Sequence, residues 1–198
     1  MAISFRCRCG KLQGEIEPDA AYLRAVCYCS DCQAFARALD REQDVLDPNG
    51  GTDIVALRPS GMRFTTGRDQ VACLSLSPKG LLRWHSACCQ TPFANTPRDP
   101  KLPYVGVLAS CMAGESGTLD AAFGLPRIAL GTDSARGEVA ATPVRTVLGV
   151  VRIMWGVLWA KLGGRQRENP FFDSATSQPI VEPRVLTRQE RSEAERVQ

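Results

Sequence analysis

Cys27-Tyr28-Cys29-Ser30-Asp31-Cys32 puts three thiols in one short stretch, and the purpose of those thiols decides how the rest of the chain is read. Upstream lies Cys7-Arg8-Cys9-Gly10, and downstream Trp84-His85-Ser86-Ala87-Cys88-Cys89; Cys73 and Cys111 stand apart. The chain has nine cysteines and a single histidine. Met1 to Arg6 lacks the apolar core of a secretory signal, so the expected location is cytoplasmic. In a reducing compartment, clustered cysteines are metal ligands or reactive thiols more often than disulfides.

Zinc takes four soft or borderline ligands in a tetrahedron. Cys7 and Cys9 make one ligand pair. His85 and Cys88, two residues between them, make another with the spacing of a metal knuckle. Together they predict a closed, structural site of three cysteines and one histidine, with Cys89 as the alternative to His85. Such a site ties the first strand to a distant segment and contributes folding energy directly.

Cys27, Cys29 and Cys32 differ, because no fourth ligand lies near them in sequence. Three protein ligands and one open position mark a catalytic or substrate-binding zinc. A metal-free redox pair, Cys29-x-x-Cys32, is the rival reading. Ser30 and Gln33 fit an S-x-x-Q capping box opening a helix through Phe35, Ala36 and Leu39. Cys32 then sits in the first turn, where the helix dipole favours its thiolate. Cys73 and Cys111 fall in apolar runs and are expected in the core.

Around these motifs, residues 1–111 read as a β-rich unit. Leu12–Ile16, Tyr22–Val26, Asp53–Leu57, Met62–Thr65 and Val71–Leu76 are candidate strands, several with the alternation of a half-buried sheet. Residues 112–142, rich in Gly, Ala, Ser and Thr, read as a connector. A helical extension fills 143–198. Thr142 and Pro143 open its apolar helix, and Gly163-Gly164 stop it. On a helical wheel the only relief from apolarity is the stripe Arg145, Gly149, Arg152, Gly156. The apolar stretch between the caps is short for a membrane span. The expectation is packing on the domain or in a homodimer through 144–162, with a membrane surface disfavoured. Asn169-Pro170-Phe171-Phe172 reads as a sticky extended segment, and Thr187-Arg188-Gln189-Glu190 as a capping box opening a charged helix. From 163 onward six arginines meet six acidic residues, so this tail is a solvated face rather than a basic arm.

At 44% hydrophobic and 23% charged, the composition is that of an ordinary soluble globular chain. The formal charge of +3 is too small to indicate a nucleic-acid partner, and six thiolates holding two divalent ions would lower it to about +1.

The order Cys-x-Cys-Gly, Cys-x-Cys-Ser-x-Cys and a late aromatic-ligand-x-x-Cys knuckle resembles the glutathione-dependent formaldehyde-activating family, which also contains the centromere protein V domain. The resemblance covers roughly residues 3–110. It implies a mainly β, zinc-bearing β-tent of small antiparallel sheets. It implies a structural zinc on Cys7, Cys9, His85 and Cys88, and a second zinc on the catalytic triplet Cys27, Cys29 and Cys32. It also implies carbon–sulfur lyase chemistry on a small thiol-containing substrate such as hydroxymethylglutathione. Two features depart from the family pattern. His85 and Cys89 stand where its knuckle has cysteine and glycine, and the extension from 112 onward lies outside its core. A non-enzymatic zinc-stabilised binding module and a thiol redox switch are the alternatives.

Overall fold

The computed structural model describes residues 1–112, 116–163 and 169–196. Along the chain, β1 (Ile3–Arg6), β2 (Gln13–Ile16) and β3 (Ala21–Cys27) lead into α1 (Ser30–Ala38) and α2 (Glu42–Val45). Then come β4 (Thr52–Leu57), β5 (Met62–Thr66), β6 (Val71–Ser75), β7 (Leu82–Ser86), β8 (Pro92–Thr96) and β9 (Val105–Leu108). α3 (Ser116–Phe123), β10 (Ala129–Leu130), α4 (Pro143–Leu162), β11 (Arg184–Val185) and α5 (Arg188–Glu195) complete the order. The protein is mainly β. A three-stranded antiparallel sheet, β1-β2-β5, accompanies an eight-stranded sheet ordered β10-β3-β4-β9-β8-β7-β6-β11.

The five strands expected from sequence alternation all form, within two residues of the expected limits. β7, β8 and β9 are not among those five, and every residue of the three is buried. β7 alternates in sequence, Leu82 and Trp84 against Arg83 and His85, whereas β8 and β9 carry core side chains on both faces and show no period of two. Phe5, Phe64, Trp84 and Phe93 meet there with Phe171 from the C-terminal segment. Phe171 is fully buried, with its ring 4.9 Å from that of Trp84. The sticky segment is therefore a structural plug in the β core.

The expected connector also contributes to the sheet. β10 adds to β3 in parallel. Asp120 of α3 shares the buried Arg24 guanidinium with Asp53, at 2.7 and 2.6 Å. Burying that cation is tolerable because two carboxylates satisfy it; residues 113–115 lie outside the described ones. α4 starts at Pro143 and is followed by Gly163 as expected, while Gly164 lies outside the described residues. Thr142 sits at the cap position, but its hydroxyl accepts the Ala129 N–H instead, pinning the helix start to β10. At α5 the capping box forms in full: Glu190 N–H donates to Thr187 Oγ1 and Thr187 N–H to the Glu190 carboxylate. α5 packs on α1, where Phe35, Leu39, Leu186 and Ala194 share a second core with Leu74 and Leu76.

Because Phe171 packs against the rings of Phe64, Trp84 and Phe93, Phe171→Ala should cost about 3–5 kcal/mol of unfolding free energy. Urea denaturation would read this as a lower midpoint with a single transition. A variant as stable as wild type would mean the segment is not part of the core.

Candidate metal centres

The first centre is assembled by two turns. After β1, Cys7 N–H donates to Leu12 O and Gly10 N–H to Cys7 O, both at 2.9 Å. Gly10 takes the left-handed conformation at φ 77° that closes this turn. The Leu12 N–H also points at Cys7 Sγ, 3.3 Å away, as backbone donors do around metal-bound thiolates. Across from it, the turn between β7 and β8 presents Cys88 and Cys89. The separations are 3.5 Å for Cys7–Cys9, 3.7 Å for Cys7–Cys88, 3.3 Å for Cys9–Cys88 and 3.9 Å for Cys88–Cys89. Four sulfurs bound at about 2.3 Å around a tetrahedral ion would lie about 3.8 Å apart, so the donor set fits one closed ion.

His85 does not join this group, which corrects the expected ligand set. The four clustered groups are Cys7, Cys9, Cys88 and Cys89. The reason is strand alternation. Ser86 ends β7 with its hydroxyl 3.3 Å from Cys89 Sγ, so its neighbour His85 turns to the opposite face. There its Nδ1 lies 3.3 Å from Ser86 O, and burial lowers its pKa, favouring the neutral ring. Burial opposes ionisation of Cys89, yet the Ser86 and Thr91 hydroxyls bring that thiol down to about 5. Cys88 is pushed up to about 12 by desolvation and by hydrogen bonding to Cys9 and Cys7.

The second centre sits where β3 becomes α1. Cys27 ends the strand, Cys29 holds the cap position and Cys32 lies in the first turn. Their sulfurs all fall within 4.8 Å of one another, with Cys27 and Cys29 3.3 Å apart. The S-x-x-Q box expected at Ser30 and Gln33 does not form. The Gln33 amide is instead consumed by the carbonyls of Tyr28 and Ser134 at 2.9 and 2.8 Å, which fastens the segment after β10 over the triplet. Gly131 makes that passage possible, since a Cβ there would come within 3.0 Å of Cys29. Thr52 is opposite Cys27 in the β3–β4 register and so shares its face. Its hydroxyl is buried without a hydrogen-bond partner among the described residues, an acceptor and donor left for a bound group.

Hydrogen bonds from Cys27 and Cys32 hold the Cys29 thiol far below its ordinary value. Hydrogen bonding to Cys29 pushes Cys27 up, and hydrogen bonding to both neighbours, with burial, pushes Cys32 up. The bare triplet thus concentrates its negative charge on one sulfur, and a cation would let the others ionise.

A cavity of about 220 Å³ opens on these three sulfurs. Leu23, Ile54 and Ile153 of α4 make it largely apolar, while Arg83, Asn95 and Tyr104 supply its polar groups. Arg83 is buried, 3.3 Å from Asn95 Oδ1 and 3.6 Å from Asp31 Oδ2, with its guanidinium over the Phe35 ring. Burial raises Tyr104 to about 12, so it remains a neutral hydroxyl. Trp155 and Trp159 do not cover the triplet; both are exposed on the outer side of α4. Arg83 and Tyr104 were not singled out from sequence. Arg83 lies within the buried run Leu82-Arg83-Trp84, and a charged residue among apolar neighbours is the sequence signal that marks it. Cys73 and Cys111 are buried, as expected, and belong to neither cluster.

The fold and its sites define a mainly β protein carrying two cysteine clusters, each able to hold a metal ion. The chain belongs to a family of unknown function, DUF6151, whose model matches residues 1–182. No curated protein matches it. Among solved structures, a Rhodobacter sphaeroides protein shares 18% identity, with a TM-score of 0.41 over 58% of this chain and 92% of that one.

Because the fourth sulfur is Cys89, metal analysis of purified variants should separate it from His85. Cys89→Ser is expected to lose about one ion per chain and several degrees of Tm, whereas His85→Ala keeps the ion. The reverse pattern would restore histidine to the ligand set.

Proposed function

We propose that this is a two-zinc protein in which Cys7, Cys9, Cys88 and Cys89 hold a structural ion and Cys27, Cys29 and Cys32 hold a catalytic one. The observation that carries this reading is the contrast between the two centres. One is closed by four sulfurs, and the other offers three sulfurs to a cavity. Sulfur-rich sets of this kind suit zinc. Zinc bound to the triplet would supply an open coordination position for a substrate thiolate.

The proposed reaction is carbon–sulfur cleavage of a thiol–aldehyde adduct, in line with the motif resemblance to the formaldehyde-activating family. The carbon–sulfur bond breaks and its electron pair stays on sulfur. The adduct hydroxyl loses its proton as the carbonyl forms, leaving a thiol and an aldehyde. Arg83 would hold an anionic part of the substrate. Neutral Tyr104 would donate a hydrogen bond to the oxygen at the reacting carbon. Asp31, half-exposed beside Arg83 at the cavity edge, is placed to accept the proton. The apolar walls restrict water around these groups.

Purified protein should carry about two zinc ions per chain and Cys29→Ser about one, by elemental analysis. Glutathione with formaldehyde is the substrate probe, followed through release or consumption of formaldehyde. Arg83→Gln should weaken thiol-substrate binding about tenfold while keeping both ions. If Cys27→Ser changes neither metal content nor thiol binding, the catalytic assignment is lost. One ion per chain with no thiol affinity would leave a zinc-stabilised binding module.

A further inference from the structure

α4 has its side chains arranged the wrong way round for a helix that packs with its apolar face inward. The residues turned toward the domain are mostly small: Thr146, Gly149, Ile153, Gly156, Val157 and Ala160. A Cβ at Gly149 would come within 2.6 Å of Ile128, and one at Gly156 within 2.5 Å of Tyr22. These glycines press the helix against β3 and the segment before β10, so it cannot roll to bury another face. The large side chains point away. Val147, Val151, Met154, Trp155, Leu158 and Leu162 are between 47% and 71% exposed. Monomeric soluble proteins rarely leave so continuous an apolar patch uncovered.

The charges frame this patch. At about 100° per residue the outer face centres on Val144, Val151, Leu158 and Leu162. Arg145 and Arg152 fall together on one border and Lys161 on the other. Trp155 and Trp159, in edge-to-face contact with centroids 6.2 Å apart, lie between the apolar centre and the arginine border. No Asp or Glu occurs anywhere from Pro143 to Leu162.

We propose that α4 lies flat on an anionic lipid surface, with its apolar face in the acyl boundary and its basic borders at the headgroups. An interfacial helix needs this combination: a broad apolar face, cationic edges whose stems can snorkel, and tryptophans at the polar boundary. By length and composition α4 could also cross a bilayer. Its close seat on β3 argues against spanning, because the sheet would have to enter the hydrocarbon with it. A second copy fits less well. Two such faces related by a two-fold axis would bring like-charged borders together with no acidic residue in either helix to pair them. Anionic phosphates would complement Arg145 and Arg152.

The test uses the full chain with vesicles of phosphatidylcholine alone and of phosphatidylcholine with about one-third phosphatidylglycerol. Binding is followed by co-sedimentation and by the blue shift of tryptophan emission. The expected result is at least about tenfold stronger partitioning into the anionic vesicles, weakened by salt. Arg145→Gln with Arg152→Gln should cut anionic binding about tenfold or more and leave phosphatidylcholine binding unchanged. Val151→Asp with Leu158→Asp should abolish binding to both; being exposed, these sites should leave Tm and metal content unaltered. Equal partitioning into the two vesicle types would overturn the proposal. So would a stable dimer in light scattering that ignores vesicles and falls apart in the Val151→Asp, Leu158→Asp variant.

Discussion

Four thiols held within bonding distance of a common point are the constraint on which the β architecture turns. Cys7 leaves the small sheet and Cys88 leaves the large one, yet their sulfurs are 3.7 Å apart. Four uncompensated sulfurs at this spacing cannot all ionise, because each negative charge raises the cost of the next. A cation removes that conflict and converts the cluster into a cross-link between the two sheets. Such a link would also fix the turn between β7 and β8, and so the position of the strand carrying Arg83. Through that strand, the closed centre sets one wall of the cavity at the open one.

The triplet is positioned by a different logic. Its three sulfurs come from a strand end, a cap and a first helical turn, a local geometry that needs no distant partner. What it borrows from afar is enclosure. β10 runs beside β3, Gln33 ties the following segment down, α5 buttresses α1, and Ile153 of α4 closes one side. Sequence elements that read as connector and appendage are therefore the roof and supports of the cavity.

Much of this was legible before any coordinates. The three cysteine motifs reported which residues gather, since few constraints other than metal or redox chemistry keep thiols at such spacing. Alternation marks strands with one face against the core and one nearer solvent, such as β2. β8 and β9 show none, because both of their faces are buried. The choice of Cys89 over His85 was also hidden, although the spacing favoured histidine. It depends on which side of β7 faces the cluster, and that parity is set by pairing with β6 and β8 rather than by the motif. Ser30 and Gln33 misled for a related reason: a buried glutamine answers to whichever carbonyls surround it, and here those of Tyr28 and Ser134 outcompete the helix start.

α4 packs one stripe on β3 and leaves its other side uncovered. Gly149 and Gly156 share one stripe of the helical wheel with Arg145 and Arg152. In the fold that stripe straddles the edge of the helix's seat: the glycines press on the domain, and the exposed arginines border the open face. Small residues seek the closest approach to β3 because dispersion contact is lost steeply with distance, and that leaves most of the bulky side chains on the far side. A helix so seated has a fixed outward face, whose character follows from what the inner face excludes. Since Ile153 on the inner stripe also lines the cysteine cavity, one helix joins the open centre to the apolar exterior.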